Sequence, residues 1–151
     1  ASVAAGLDAL AARGALVHDW VLVHDAARCL LRTPAVERLI DACADDAVGG
    51  LLALPLADTL KHADANERVT ATLDRRGKWT AQTPQMFRLG LLREALASAG
   101  DGVTDEASAI EALGHQPLLV RGEPDNFKLT WPQELVLAAR LLRARELELA
   151  E

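Results

Sequence analysis

The stretch "WVLVHDAAR", residues 20 to 28, decides how the rest of the chain is read. It opens on apolar residues without alternation, as a short buried strand does. A histidine and an aspartate follow at once, then two alanines and an arginine. In an open α/β sheet, ligands settle beyond the carboxyl ends of the strands. Asp25 therefore stands at that edge. Ala26 and Ala27 leave room for a ligand against the backbone, and Arg28 can point back toward the same cleft. An aspartate can hold a hydroxyl or a metal there, and an arginine can clamp a phosphate through two parallel hydrogen bonds. The same residues also read as a capping aspartate with a surface arginine for a partner, and the stretch by itself leaves both readings open. In an extended chain His24 and Asp25 point to opposite faces, so a shared metal is not expected and His24 reads as a packed polar residue.

Working outward, "SVAAGLDALAARG" predicts a helix from Ser2 to Arg13, capped by Ser2 and ended by a left-handed Gly14. Thr33-Pro34 opens a second helix with Pro34 at its first position. Val36, Leu39, Ile40 and Cys43 share one face of it. "GGLLALPL" predicts a buried strand from about Gly50 to Ala53, with Pro55 near its end. From 58 to 82 the chain turns polar. "RVTATLD" alternates, with Val69, Ala71 and Leu73 on one side, "RRGK" supplies a turn, and "WTAQT" reads as the returning strand. The expectation is a projecting β-arm. A two-stranded arm is marginal alone in water, so it needs a surface to pack on, a second copy of the protein being the natural one.

Further on, "MFRLGLLREALASAG" predicts an amphipathic helix ending at Gly100. "TDEASAIEALG" predicts another, capped by Thr104, with Asp105 and Glu106 beside its positive end and Gly114 closing it. "QPLLVRG" is a strand and "NFKLT" a short extended piece. Thr130 and Gln133 in "TWPQ" match a capping box that opens a last helix from Pro132 to about Leu147. Strands alternating with helices at this spacing predict an α/β fold, with a mainly parallel sheet and helices on both faces.

Composition narrows the function. Half of the 151 residues are hydrophobic and 25% are charged, as in an ordinary globular domain. The net charge of -6 and the absence of a basic run or Tyr argue against a nucleic-acid partner. The two cysteines, Cys29 and Cys43, share no metal-binding spacing, so a reducing cytoplasm is expected. No apolar run reaches the roughly 18 residues of a membrane span, so no membrane partner is expected. There is no G-x-S-x-G elbow, G-x-x-x-x-G-K-[ST] loop, H-E-x-x-H or G-x-G-x-x-G. Lys128 reads either as a phosphate ligand near the sheet edge or as a solvated surface lysine. The Thr59 and Thr83 hydroxyls, both at turns, can donate to a phosphate, and Pro84 holds Thr83 extended. "TDEAS" needs no role beyond starting a helix.

Taken together, "SVAAGL", "VLVHDAAR", "LALPLADTLK", "RRGKWTAQTPQMF", "TDEASAIEALG" and "DNFKLTWPQEL" resemble the 2-C-methyl-D-erythritol 4-phosphate cytidylyltransferases. They stand in the family's order and cover nearly the whole chain. The resemblance implies a Rossmann-like nucleotidyltransferase domain whose β-arm, residues 58–82, locks two subunits together. Family members begin with a further stretch that carries a glycine-rich loop and basic residues around the CTP triphosphate. Residues 1–151 would then be the C-terminal two-thirds of a single nucleotidyltransferase domain, inactive in isolation. Cys29-Leu30 after Arg28 departs from the family, where a proline is expected. The implied activity is cytidylyl transfer from CTP to methylerythritol phosphate in a homodimer, with Mg2+ bound mainly through the CTP phosphates. The implied roles are catalysis by Lys128 and Asp25, substrate binding by Arg28, Thr59, Arg75 and Thr83, and nucleotide contacts from Ser2 and Ala26. Thr59 and Arg75 would reach into the partner's site. A pentitol phosphate substrate is the neighbouring alternative. A non-catalytic dimerisation module built around the arm is the alternative from another class.

Overall fold

The computed structural model describes residues 2–99 and 103–148. In chain order the elements are α1 (Ser2–Ala12), β1 (Trp20–Val23), α2 (Thr33–Cys43), β2 (Gly49–Pro55), β3 (Leu60–Ala63) and β4 (Val69–Leu73). Then come β5 (Trp79–Arg88), α3 (Leu89–Ser98), α4 (Glu106–Ala112), β6 (Leu118–Arg121) and α5 (Pro132–Glu148). Four strands form the main sheet in the order β1-β5-β2-β6. β2 pairs in parallel with β6, and β5 pairs antiparallel with both β1 and β2. β1, β2 and β6 therefore run one way, and a single reversed strand is inserted between them. The parallel direction expected from the βα alternation holds for those three.

Neighbouring residues on the central strands feed opposite faces, and each face has its helices. Leu51 and Phe87 pack with Leu7 of α1, Leu92 of α3 and Ile110 of α4. Leu52 and Met86 pack with Ala35, Leu39 and Cys43 of α2 and with Val120 of β6. Each such leucine, fully buried, contributes roughly 2 kcal/mol of transfer free energy. β2 can lie this close to β5 because it starts on Gly49, whose φ is 106°. A side chain there would strike the Met86 carbonyl oxygen.

The largest difference from the sequence reading concerns β5. "WTAQT" is not the returning strand of the arm, and Met86-Phe87-Arg88 is not the start of a helix. Both belong to one ten-residue strand, and α3 begins only at Leu89. Gln82 and Gln85 are buried on this strand and Pro84 lies between them, so neither an apolar run nor a strict alternation marks these ten residues as one strand. The arm hairpin is instead β3 with β4, a separate two-stranded sheet. Its turn is tied by Asp64, whose carboxylate accepts from Asn66 N and Arg68 N at 2.9 Å each. "RRGK" is a turn, closed by Lys78 N on the Arg75 carbonyl at 3.0 Å, but it joins β4 to β5 without pairing them.

Smaller corrections concern helix ends. Asp105 caps α4 and exchanges bonds with Ser108, while Thr104 stays outside. The amides of Thr130 and Trp131 are held by Glu134 rather than by a Thr130–Gln133 box. The buried face of α2 is Ala35, Leu39 and Cys43, and Ile40 is 41% exposed. Gly14 and Gly114 do adopt the left-handed conformation, with φ of 97° and 87°. The expected helix end at Gly100 lies outside the described residues. Both cysteines are free, and burial pushes the Cys43 thiol up to about 11.

Candidate active site

β1 ends at Val23, so His24 and Asp25 step off the carboxyl edge of the sheet. The turn that follows is closed by Arg28 N donating to the Asp25 carbonyl at 2.9 Å. That closure brings Asp25 and Arg28 into one cleft. The cleft is about 560 Å³, and Ser2, Asp25, Ala26, Arg28, Thr83 and Lys128 all line it. Lys128 comes from the irregular segment between β6 and α5. Leu129 N, donating to the Ala27 carbonyl at 2.8 Å, lays that segment against the Asp25–Arg28 turn. The ammonium of Lys128 sits 2.9 Å from Asp25 Oδ2, with both side chains substantially exposed. Ion pairs of that exposure are worth ~0–1 kcal/mol. A phosphate entering the cleft can therefore separate them at little cost.

Thr83 on β5 organises this edge. Its hydroxyl oxygen accepts from Asp25 N at 3.0 Å and lies 3.0 Å from His24 Nδ1. The Arg28 carbonyl can only accept, so His24 Nε2 donates to it at 3.1 Å and Nδ1 is left to accept from Thr83. His24 is thus an exposed residue with both ring nitrogens engaged, not one packed inside. Arg28 donates through Nη1 to the Asn126 carbonyl at 2.8 Å and through Nη2 to the Ala81 carbonyl at 3.3 Å. Each of these nitrogens keeps a second hydrogen for a ligand. Burial pulls the guanidinium below its ordinary pKa, and Asp25 opposes that.

Two buried amides brace the cleft from below. Gln85, 1% exposed, donates to Asp105 Oδ2 at 2.9 Å and accepts from Ala107 N at 2.7 Å, which fixes the start of α4 at the cleft. Gln82 grips the backbone of Glu123, donating to its carbonyl at 2.9 Å and accepting from its N–H at 3.3 Å. Gly122 leaves room for that grip, since a side chain there would strike Gln82 Oε1. Asp105 and Glu106 consequently line the cleft, which the helix-start reading of "TDEAS" did not foresee. Glu106 is half-buried. Its carboxyl is pushed above the ordinary range by burial, and by the nearby Asp105 and Asp25, against a bond from its own amide.

The structure thus brings together Ser2, Asp25, Ala26, Arg28, Thr83 and Lys128. Thr59 and Arg75 are not in this cleft. Both are exposed on the arm segment. The family model of "IspD: 2-C-methyl-D-erythritol 4-phosphate cytidylyltransferase" matches residues 1–144. The chain belongs to the 2-C-methyl-D-erythritol 4-phosphate cytidylyltransferase family. A cytidylyltransferase of that name from Chromobacterium violaceum is 60% identical over 146 residues, 96% of this chain and 64% of the relative. A "Bifunctional enzyme IspD/IspF" from Albidiferax ferrireducens is 60% identical over 145 residues, 96% of this chain and 34% of the relative. The chain thus spans less than two thirds of either. A crystal structure of 4-diphosphocytidyl-2C-methyl-D-erythritol synthase superposes with a TM-score of 0.87 at 50% identity, covering 93% of this chain and 65% of that one.

Residues from "SVAAGL", "VLVHDAAR", "WTAQTPQMF", "TDEAS" and "DNFKLT" therefore meet in this one cleft, whereas "LALPLADTLK" and "RRGK" contribute none to it. Among the described residues no three His, Cys, Asp or Glu side chains gather to hold a metal ion. No helix among the described residues is long and apolar enough to cross a membrane.

Proposed function

We propose that this chain carries the Asp25–Lys128 part of a site that transfers a cytidylyl group from CTP to 2-C-methyl-D-erythritol 4-phosphate. A phosphate oxygen of methylerythritol phosphate attacks the α-phosphorus of CTP. The new P–O bond forms as the α–β bridging P–O bond breaks, and pyrophosphate leaves with the electron pair. The nucleophile is already an anion, so no strong general base is required. Positioning and charge compensation do the work. Lys128, released from Asp25 when phosphates enter, places its ammonium against the charge that develops at the α-phosphate. Asp25, held by its amide on Thr83, orients the acceptor. Arg28 offers its remaining hydrogens to the substrate phosphate, and Ser2 and Ala26 border the nucleotide. Mg2+ suits the arrangement if CTP oxygens hold it and Asp25 is its protein carboxylate; when bound it supplies neutralisation of the phosphates.

Thr59 and Arg75 complete the proposal from a partner subunit, through the arm of a homodimer. Arg76 is tied to Asp74 by a 2.7 Å ion pair, whereas Arg75, among the described residues, makes no side-chain bond. That favours Arg75 as the arginine lent across.

The observation that carries the reading is the convergence of Asp25 and Lys128, from opposite ends of the chain, at 2.9 Å in the cleft beyond β1. The test is pyrophosphate release by the full-length protein from CTP and methylerythritol phosphate. Lys128→Ala is expected to lower kcat about 10²–10³-fold, as the loss of one charge-stabilising donor does. Turnover within about twofold of wild type would remove the assigned role. Offering a pentitol phosphate in the same assay separates the two acceptors.

A further inference from the structure

The two halves of the ion pair come from loops that both hang on Thr83. Its hydroxyl takes the Asp25 amide, at 3.0 Å. Its carbonyl takes the side-chain amide of Asn126, two residues ahead of Lys128, at 2.8 Å. Asn126 is 1% exposed. A carbonyl only accepts, so the NH2 group of Asn126 must face Thr83. The carbonyl of Asn126 in turn accepts from Arg28 at 2.8 Å. One asparagine therefore joins the Lys128 segment to β5 through its side chain and to the Asp25–Arg28 turn through its backbone. No helix or strand includes residues 122–131, so Lys128 takes its place from individual bonds: those of Asn126 on one side of it and Leu129 N on the Ala27 carbonyl, at 2.8 Å, on the other. The Asn126 Oδ1 atom is buried with no hydrogen-bond partner among the described residues.

We propose that Asn126 is a positioning residue for the reaction above: bonded to Thr83 and Arg28, it sets where Lys128 presents its ammonium beside Asp25. The proposal rests on the role assigned to Lys128. It adds that Asn126 acts on the reaction through that lysine and not through general stability.

The test is a double-mutant cycle in the full-length protein, with pyrophosphate release as readout and melting temperature measured alongside. Asn126→Ala is expected to lower kcat about 10- to 100-fold, as a displacement near 1 Å does, with the KM for CTP changed less than about threefold. Asn126→Ala combined with Lys128→Ala is expected to be no slower than Lys128→Ala alone, because both act on one interaction. Losses that multiply overturn the proposal and leave Lys128 standing. A single Asn126→Ala variant within about twofold of wild type does the same. Lys128→Ala at wild-type turnover overturns the functional reading and this proposal together. Asn126→Asp, which keeps the shape and loses the donor to Thr83, replaces Asn126→Ala in the cycle if the alanine variant does not fold. Failure of both to fold makes the residue structural and overturns the proposal.

Discussion

Glu106 stands half-buried at the cleft with Asp105 and Asp25 near it. Burial first, and those carboxylates after it, hold its proton more tightly than the ordinary value of 4.5. The consequence for stability has a definite sign. Below pH 4.5 the group is protonated whether the chain is folded or not, and folding loses nothing. As pH rises, the unfolded chain gives up its proton first, and stability falls until the folded group ionises too. Glu106→Gln should therefore be more stable than wild type in urea unfolding at neutral pH, and equal to it near pH 4. An equal difference at both pH values would tie the effect to packing instead. At this scale the sequence was partly legible. The local pattern of Asp25, Arg28 and Lys128 left a capping or surface role open; the family resemblance singled them out together with Thr83, and all four line one cleft. Glu106 was not legible, because its place depends on Gln85, which reaches α4 from another strand. The role of Asn126 was equally out of reach. Its partners Thr83 and Arg28 lie far away in the chain, and no local pattern marks them.

Among the elements, the helices were legible and their first residues were not. Ser, Thr and Asp compete to cap, and the winner is whichever stands just outside the first helical turn. In α4 that was Asp105, one residue past Thr104. In α5 the helix starts at Pro132, so Glu134 rather than Gln133 occupies the third position and reaches back. Its Oε2 accepts from Thr130 N at 2.6 Å and Trp131 N at 2.8 Å. These bonds, Trp131 first, hold the Glu134 carboxyl below its ordinary range. Its contribution is thus complete above the unfolded value of 4.5 and is lost as pH falls through the lower folded value. Glu134→Gln should melt below wild type at neutral pH, and the gap should close in acid as wild-type Glu134 is itself protonated. A gap that persists to low pH would show that the charge of Glu134 is not what holds the cap. The reversed β5 escaped for a different reason. Nothing within its ten residues records that β1 and β2 will flank it.

For the whole molecule, the arm is an insertion into a hairpin. β2 and β5 pair as far as Pro55 with Trp79, and Leu56 N still donates to the Lys78 carbonyl at 2.9 Å. Everything from 57 to 77 is therefore a detour between two residues that already face each other. The detour buries little in its own chain. All five residues of β4 are exposed, Val69 at 63% and Leu73 at 40%. A two-stranded ribbon with that much uncovered apolar surface does not account for its own stability. In the homodimer proposed above, a second subunit would cover it, and Thr59 and Arg75 would be lent to the neighbour's cleft. Replacing residues 57–77 with Asn-Gly, which suits a two-residue hairpin turn, should leave the body folded, because no bond of the main sheet is cut. The shortened full-length protein should run at monomer mass in light scattering, and it should turn over poorly even though its own Asp25 and Lys128 are intact. A dimer that survives the replacement would place the interface elsewhere. Full turnover by a monomer would show that no residue is lent across.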